Sequence, residues 1–186
     1  MRALVTVTHP RQNSLTHAVM NRFVEGLQQN GHEVDLLDLH RDGFNPVYTL
    51  EDDRDWINPD KVHGPEIRKE MDRILAADTL VFVFPLWGYS VPAMLKGYLD
   101  KVWNMGMFEK MNAKKVLWIC LAGGEQAHMD KYKREETLAH YLNILISGYA
   151  RVKESRVELL KGTLHQSEEH VIGLLERAYR LGCEYE

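Results

Sequence analysis

Cysteine is scarce: Cys120 and Cys183 are the only two in 186 residues, too few for a disulfide framework and not at metal-ligand spacing. Both read as structural or incidental. The chain has no dense Lys/Arg run and a net charge of −4, whereas phosphate contacts along a nucleic acid need a basic face, so no nucleic-acid partner is expected. No stretch approaches a membrane span, and the apolar start Ala3-Leu4-Val5 is too short for the hydrophobic region of a signal peptide. A cytoplasmic protein without membrane insertion is expected. GxGxxG and GxxxxGK[ST] are both missing, which argues against the usual dinucleotide-binding Rossmann domain and against a P-loop enzyme. Repeats, low-complexity tracts and Ser/Gly-rich linkers are missing too. Residues 1–186 therefore read as one domain of ordinary globular composition, 45% hydrophobic and 27% charged.

Strand and helix patterns alternate along the chain. Arg2 to Thr8 reads as a central strand, and Thr16 to Asn30 as a helix with Val19, Phe23 and Leu27 on one face, ended by Gly31. Glu33 to Asp38, Thr79 to Phe84 and Lys115 to Cys120 read as further strands, with a fifth near Val152 to Leu160. Helices are expected over Glu66 to Ala77, after Val91-Pro92, over Glu135 to Ser147 and over Ser167 to Leu181. Five strands alternating with five helices predict a doubly wound α/β fold, a parallel sheet covered on both faces. The polar stretch from Leu39 to Gly64 breaks the pattern as a long loop, and its acidic cluster Glu51-Asp52-Asp53 with Asp55 lacks the features of a calcium loop, so no metal site is expected.

Three loops at strand ends carry chemistry. After the first strand, His9, Arg11, Asn13, Ser14, Leu15 and Thr16 supply imidazole, guanidinium, amide and hydroxyl groups where a helix begins, a setting that favours an anion such as a phosphate. After the third strand, Pro85, Leu86, Trp87, Gly88 and Tyr89 form an aromatic loop suited to a planar ring. After the fourth, Gly123-Gly124 lets backbone N–H groups approach a ring edge. A phosphate pocket, an aromatic wall and a donor loop on one sheet edge fit flavin mononucleotide.

These segments, with Phe44-Asn45-Pro46, Ala76-Ala77-Asp78, the run Pro85 to Val102 and Gly148-Tyr149, give a chain that resembles the flavodoxin-like NAD(P)H:quinone oxidoreductases over most of its length. The resemblance implies a five-stranded sheet of order 2-1-3-4-5, tightly bound FMN or FAD, and a homodimer. It places His9, Ser14, Leu15 and Thr16 around the flavin phosphate. Pro85, Leu86, Trp87, Gly88 and Tyr89 would line the isoalloxazine, with Gly123 and Gly124 at its pyrimidine side. Gly88 stands where many relatives carry tryptophan, and His128 and Tyr132 are the candidates for catalytic charge relay.

The activity so implied is hydride transfer from NADPH or NADH to flavin, then two electrons to a quinone-like acceptor in the same site. A one-electron flavodoxin-type carrier and a regulatory flavoprotein subunit of a transport system are the alternatives. FMN and FAD, and NADH and NADPH, are left open by these residues.

Overall fold

A computed structural model describes residues 1–111, 114–164 and 167–186. The elements run β1 (Arg2–Val7), α1 (Leu15–Gln29), β2 (Glu33–Asp38), α2 (Leu50–Asp53), α3 (Pro65–Ala76), β3 (Thr79–Pro85), α4 (Ala93–Val102), α5 (Phe108–Met111), β4 (Lys115–Leu121), α6 (Gln126–Asp130), α7 (Arg134–His140), a π-helical segment (Tyr141–Ser147), β5 (Glu154–Leu160) and α8 (Glu168–Cys183). All pairings are parallel, in the order β2-β1-β3-β4-β5. This is the predicted sheet, with strand ends moved by a residue or two.

Side-chain alternation divides the core. On β1, Ala3, Val5 and Val7 face the layer of α1 and α8, while Leu4 faces the opposite layer with α3 and α4. Both faces of the sheet are therefore dry, which accounts for strands that read as near-continuous apolar runs. Trp118 on β4 is fully buried, stacks on Phe82 at 4.7 Å between centroids, and donates its indole N–H to Ser147 Oγ (3.1 Å) and Ser155 Oγ (3.0 Å). Cys120 lies beside it, and burial pushes its thiol well above the ordinary range, as befits a structural cysteine.

Two regions differ from the sequence expectation. The helix expected over Glu135 to Ser147 is α-helical only to His140 and then widens to π. An i to i+5 winding puts Ser147 rather than Leu145 under buried Leu142, so Leu145 is 56% exposed instead of joining the core. The long loop is also more ordered than expected, because α2 is closed by a reciprocal cap in which Thr49 and Asp52 bond each other's backbone N–H. Asp52 also lies 3.5 Å from the buried Lys101 ammonium, which donates to the carbonyls of Asn45 and Val47. Gly97 of α4 lets this loop seat closely, since a Cβ there would stand 2.2 Å from the Pro46 carbonyl oxygen. The apolar stretch after α4 turns back into the chain's own core through Trp103, Met107 and Phe108.

Candidate functional site

The carboxyl ends of the strands finish nearly level: Val7 pairs with Val83, Pro85 with Leu121, and Leu121 with Leu160. The loops that follow therefore meet along one sheet edge, the usual ligand crevice of an open α/β fold.

At one end, Ser14 caps α1, its Oγ accepting the His17 N–H. Among the described residues the N–H groups of Leu15 and Thr16, the first two of the helix, have no acceptor. Below them runs a buried chain. Ser14 Oγ lies 3.0 Å from His17 Nδ1, and His17 Nε2 lies 3.0 Å from Asp38 Oδ2 at the end of β2. Asp38 also accepts from Gln12 Nε2 (2.8 Å) and from the N–H groups of His40 and Arg41 (3.1 Å each). Burial opposes its ionisation, yet the hydrogen bonds from His17, Gln12 and the Arg41 amide outweigh that and hold the carboxyl below its usual range. His9 is buried as well. Desolvation lowers its pKa, against a hydrogen bond to the Arg11 backbone that raises it and with the Arg11 charge that lowers it further, and its Nδ1 lies 3.1 Å from the Arg11 amide and 3.3 Å from the Arg11 carbonyl.

Next along the edge, Trp87 to Ser90 forms a tight turn in which Ser90 N–H bonds the Trp87 carbonyl at 3.2 Å. Gly88 (φ 61°) and Tyr89 (φ 60°) are both left-handed, the pattern of a type I′ turn. The turn holds the Trp87 and Tyr89 side chains outward, 49% and 45% exposed. The preceding residues anchor it, Pro85 in the sheet and Leu86 through its N–H to the Leu121 carbonyl at 2.8 Å. Gly123 and Gly124 follow β4, and neither N–H has an acceptor among the described residues.

Ring contacts join the three loops. His9 lies 5.9 Å from Trp87 and 6.5 Å from His17, while Tyr89 lies 6.4 Å from His128 with its hydroxyl 2.8 Å from Nε2. His128 is 6.5 Å from Tyr132, and Arg134 lies over both the Tyr89 (4.3 Å) and Tyr132 (4.4 Å) rings. Beyond Tyr89 opens a cavity of about 670 Å³ lined by Tyr132, Arg134, Leu138, Tyr141 and Leu145. Every residue expected at the site lies along this edge except that Asn13, exposed in the first loop, makes no hydrogen bond among the described residues.

Sequence reasoning missed His17, Asp38, Gln12 and Arg134. The Ser14/His17 spacing, with an acidic residue ending the neighbouring strand, was a signal for the first two. Arg134 sits in a charged stretch, Lys131 to Glu136, that carries no such signal.

The profile of a family described as having a flavodoxin-like fold matches residues 1–180. A protein of Escherichia coli K12 named uncharacterized NAD(P)H oxidoreductase YcaK is 40% identical over 160 residues, covering 84% of this chain and 81% of that one. The FMN-dependent NADH:quinone oxidoreductase 2 of Idiomarina loihiensis is 29% identical over 110 residues, 53% of this chain and 44% of its own. Among solved structures, the NAD(P)H:quinone oxidoreductase of Methanothermobacter marburgensis superposes with a TM-score of 0.92 at 27% identity, covering 98% of this chain and 96% of that one.

Proposed function

The chain belongs to the flavodoxin-like family, and on that premise we propose that it is a flavin-dependent NAD(P)H:quinone oxidoreductase, with residues 1–186 forming one flavin-binding domain. The observation that carries the reading is the convergence of three loops with complementary chemistry on one sheet edge. The Leu15 and Thr16 amides, unbonded among the described residues, and the buried His9 imidazole suit a phosphate. The exposed faces of Trp87 and Tyr89 suit a planar ring, and the free Gly123 and Gly124 N–H groups suit its polar edge. The residues present thus fit the phosphate, ring and ring edge common to FMN and FAD.

When bound, the flavin supplies the hydride and electron chemistry. The protein's tasks are to hold, orient and shield. Ser14, Leu15, Thr16 and His9 hold the phosphate; Pro85, Leu86, Trp87, Gly88 and Tyr89 flank the ring. The Gly123 and Gly124 amides would hold the polar edge of the ring and favour negative charge there, a contribution on the order of 3 kcal/mol for a well-placed donor. Tyr89, His128 and Tyr132 form a side-chain path along which a proton reaches the acceptor, and Arg134 between the two tyrosine rings favours negative charge there. NADPH or NADH and then the quinone occupy the apolar cavity beside Tyr89 in turn.

We further propose a homodimer: a second groove of about 590 Å³, lined in part by Trp56, Trp103, Phe108, Leu145 and Tyr149, offers a largely apolar surface that a second copy of the chain would cover. No helix among the described residues is long and apolar enough to cross a membrane, and we place the enzyme in the cytoplasm.

The test is the visible spectrum of the purified protein, followed by anaerobic addition of NADPH, then NADH, then a benzoquinone. Bleaching by a nicotinamide and recovery with quinone is the expected result. A colourless protein that takes up neither FMN nor FAD and oxidises no NAD(P)H would overturn the proposal, and a chain that reduces only stepwise with protein acceptors would point to a carrier.

A further inference from the structure

The phosphate end holds a group that binding alone does not require. A helix-capping serine needs no partner beyond the backbone, yet Ser14 Oγ lies 3.0 Å from His17 Nδ1, and His17 Nε2 lies 3.0 Å from Asp38 Oδ2. The side chains of His17 and Asp38 are 6% and 2% exposed, and Ser14 as a whole 6%. Proton positions in this chain are dictated by what each atom can do. Asp38 already accepts from Gln12, from the His40 and Arg41 amides and from His17, and its carboxyl is held ionised, so His17 Nε2 must carry a proton. In the neutral imidazole, Nδ1 then bears a lone pair, and the Ser14 hydroxyl spends its single proton on it. Ser14 has nothing left to donate to an anion. With the imidazole protonated, Nδ1–H donates to Ser14 Oγ, and the hydroxyl proton is released to point elsewhere.

We infer that His17 is a positioning residue that sets the direction of the Ser14 hydroxyl, so that binding of a phosphate-type dianion at the α1 N-terminus is coupled to uptake of one proton from solvent by His17. The inference rests on the flavin reading for what the dianion belongs to, but not for the coupling. Binding tightens as pH falls, because the anion-bound state holds one more proton than the free state. The group is a positioning residue since it lies behind Ser14. The other charged groups around it are accounted for: Asp38 faces it from β2, His9 from the loop after β1 at 6.5 Å between rings, and Arg11, His40, Arg41 and Asp42 stand one layer out. None of these touches Nδ1, so only His17 can redirect the hydroxyl.

Sulfate is the probe for the coupling, because it stays a dianion across the histidine range, whereas phosphate esters titrate within it. Sulfate affinity of the flavin-free protein is measured from about pH 5.5 to 8.5, the range that brackets a histidine titration, and the His17 imidazole is followed by NMR with and without sulfate. In the wild type the affinity is expected to weaken by up to about tenfold per pH unit, the slope for one linked proton, and the His17 midpoint to rise with sulfate. In His17→Asn the slope attributable to this proton disappears. Parallel pH curves for wild type and variant, a His17 midpoint unmoved by sulfate, or no sulfate binding at any pH would each overturn the inference. The NMR measurement on wild type decides the matter should His17→Asn fold poorly. FMN quenching titrations run alongside: failure to bind FMN sinks the flavin reading, while the sulfate result still decides the coupling.

Discussion

The two ends of the binding edge are built differently. At the α1 end the groups that would hold an anion are buried and bonded through Asp38 to β2, Gln12 and two backbone amides. At the other end Trp87, Tyr89 and Tyr132 are 49%, 45% and 55% exposed, with Trp87 in ring contact with His9, Tyr89 and Tyr132 in ring contact with His128, and the Tyr89 hydroxyl bonded to His128 Nε2. The first end is therefore part of the fold, and its bonds stabilise the chain whether or not a ligand is present. The second is a wall of surface side chains on tight turns, completed by whatever lies against it. Substitutions at the first end should cost stability and binding together, and those at the second should cost binding or turnover alone.

The sharpest way to break that contrast is Asp38→Ala. It strands Gln12, the buried His17 and two half-buried amides at once, and losing one member of such a charged network costs on the order of 3 kcal/mol. Urea denaturation should show that loss, with flavin retention falling in the same protein. A variant of wild-type stability would mean that the anion end is not a structural element.

Acid should attack the anion end through Asp38 and the middle of β2 through Asp35. Asp35 is held below the usual carboxylate range by its hydrogen bonds from Arg73 (2.6 and 3.0 Å), and Asp38 by the bonds that overcome its burial. The unfolded chain therefore binds protons before the folded one does. Their stabilisation is complete above about pH 4, where unfolded carboxyls titrate, and is lost as pH falls through the lower native values. Thermal melts from about pH 6 to 3 should show a falling Tm, with a shallower fall in Asp38→Asn; equal slopes would assign the acid loss to other groups.

The contrast also explains what could be read from the chain. The sheet was legible because each strand is an apolar run closed by a turn signal, and β2 fell on Glu33–Asp38 as expected. The aromatic and Gly-Gly loops were legible because they follow such strands directly. The π segment was not, since Leu138, Tyr141, Leu142 and Leu145 keep helical spacing and nothing in that spacing signals the extra residue per turn. The chain from Ser14 to Asp38 was legible only in pieces, as the Ser14/His17 spacing and the acidic end of β2; that they form one chain depends on the parallel pairing that sets Val7 opposite Asp38. His128 was picked on its position after the glycine pair, and the structure adds that its partner is Tyr89 rather than Tyr132 alone.

A smaller effect is expected at the turn itself. Gly88 has φ 61°, and a Cβ there would meet nothing within 4 Å. Gly88→Ala therefore introduces only local backbone strain, about 1 kcal/mol for a left-handed non-glycine residue. Because the turn is outside the core, flavin affinity should drop while the urea midpoint hardly moves. A large loss of stability would place the aromatic loop in the same class as the anion end.

Tyr89→Phe is the finest probe. It keeps the ring that faces the cavity and the surface over which Arg134 lies at 4.3 Å, and removes only the hydroxyl 2.8 Å from His128 Nε2. An exposed contact of this kind changes stability by less than about 0.5 kcal/mol, so any effect must appear in the chemistry. Arg134 Nη1 also lies 2.5 Å from the same nitrogen. Two donors on one nitrogen make Nε2 an acceptor, and loss of the tyrosine proton leaves the arginine as its single partner. If Tyr89 and His128 move a proton to the acceptor, kcat with a quinone should fall severalfold and its pH profile should shift, while KM for the nicotinamide stays unchanged. If the hydroxyl only trims the surface, Tyr89→Phe and wild type will share one pH profile. The proton path would then run through His128 and Tyr132 without Tyr89, leaving the aromatic turn as a wall and nothing more.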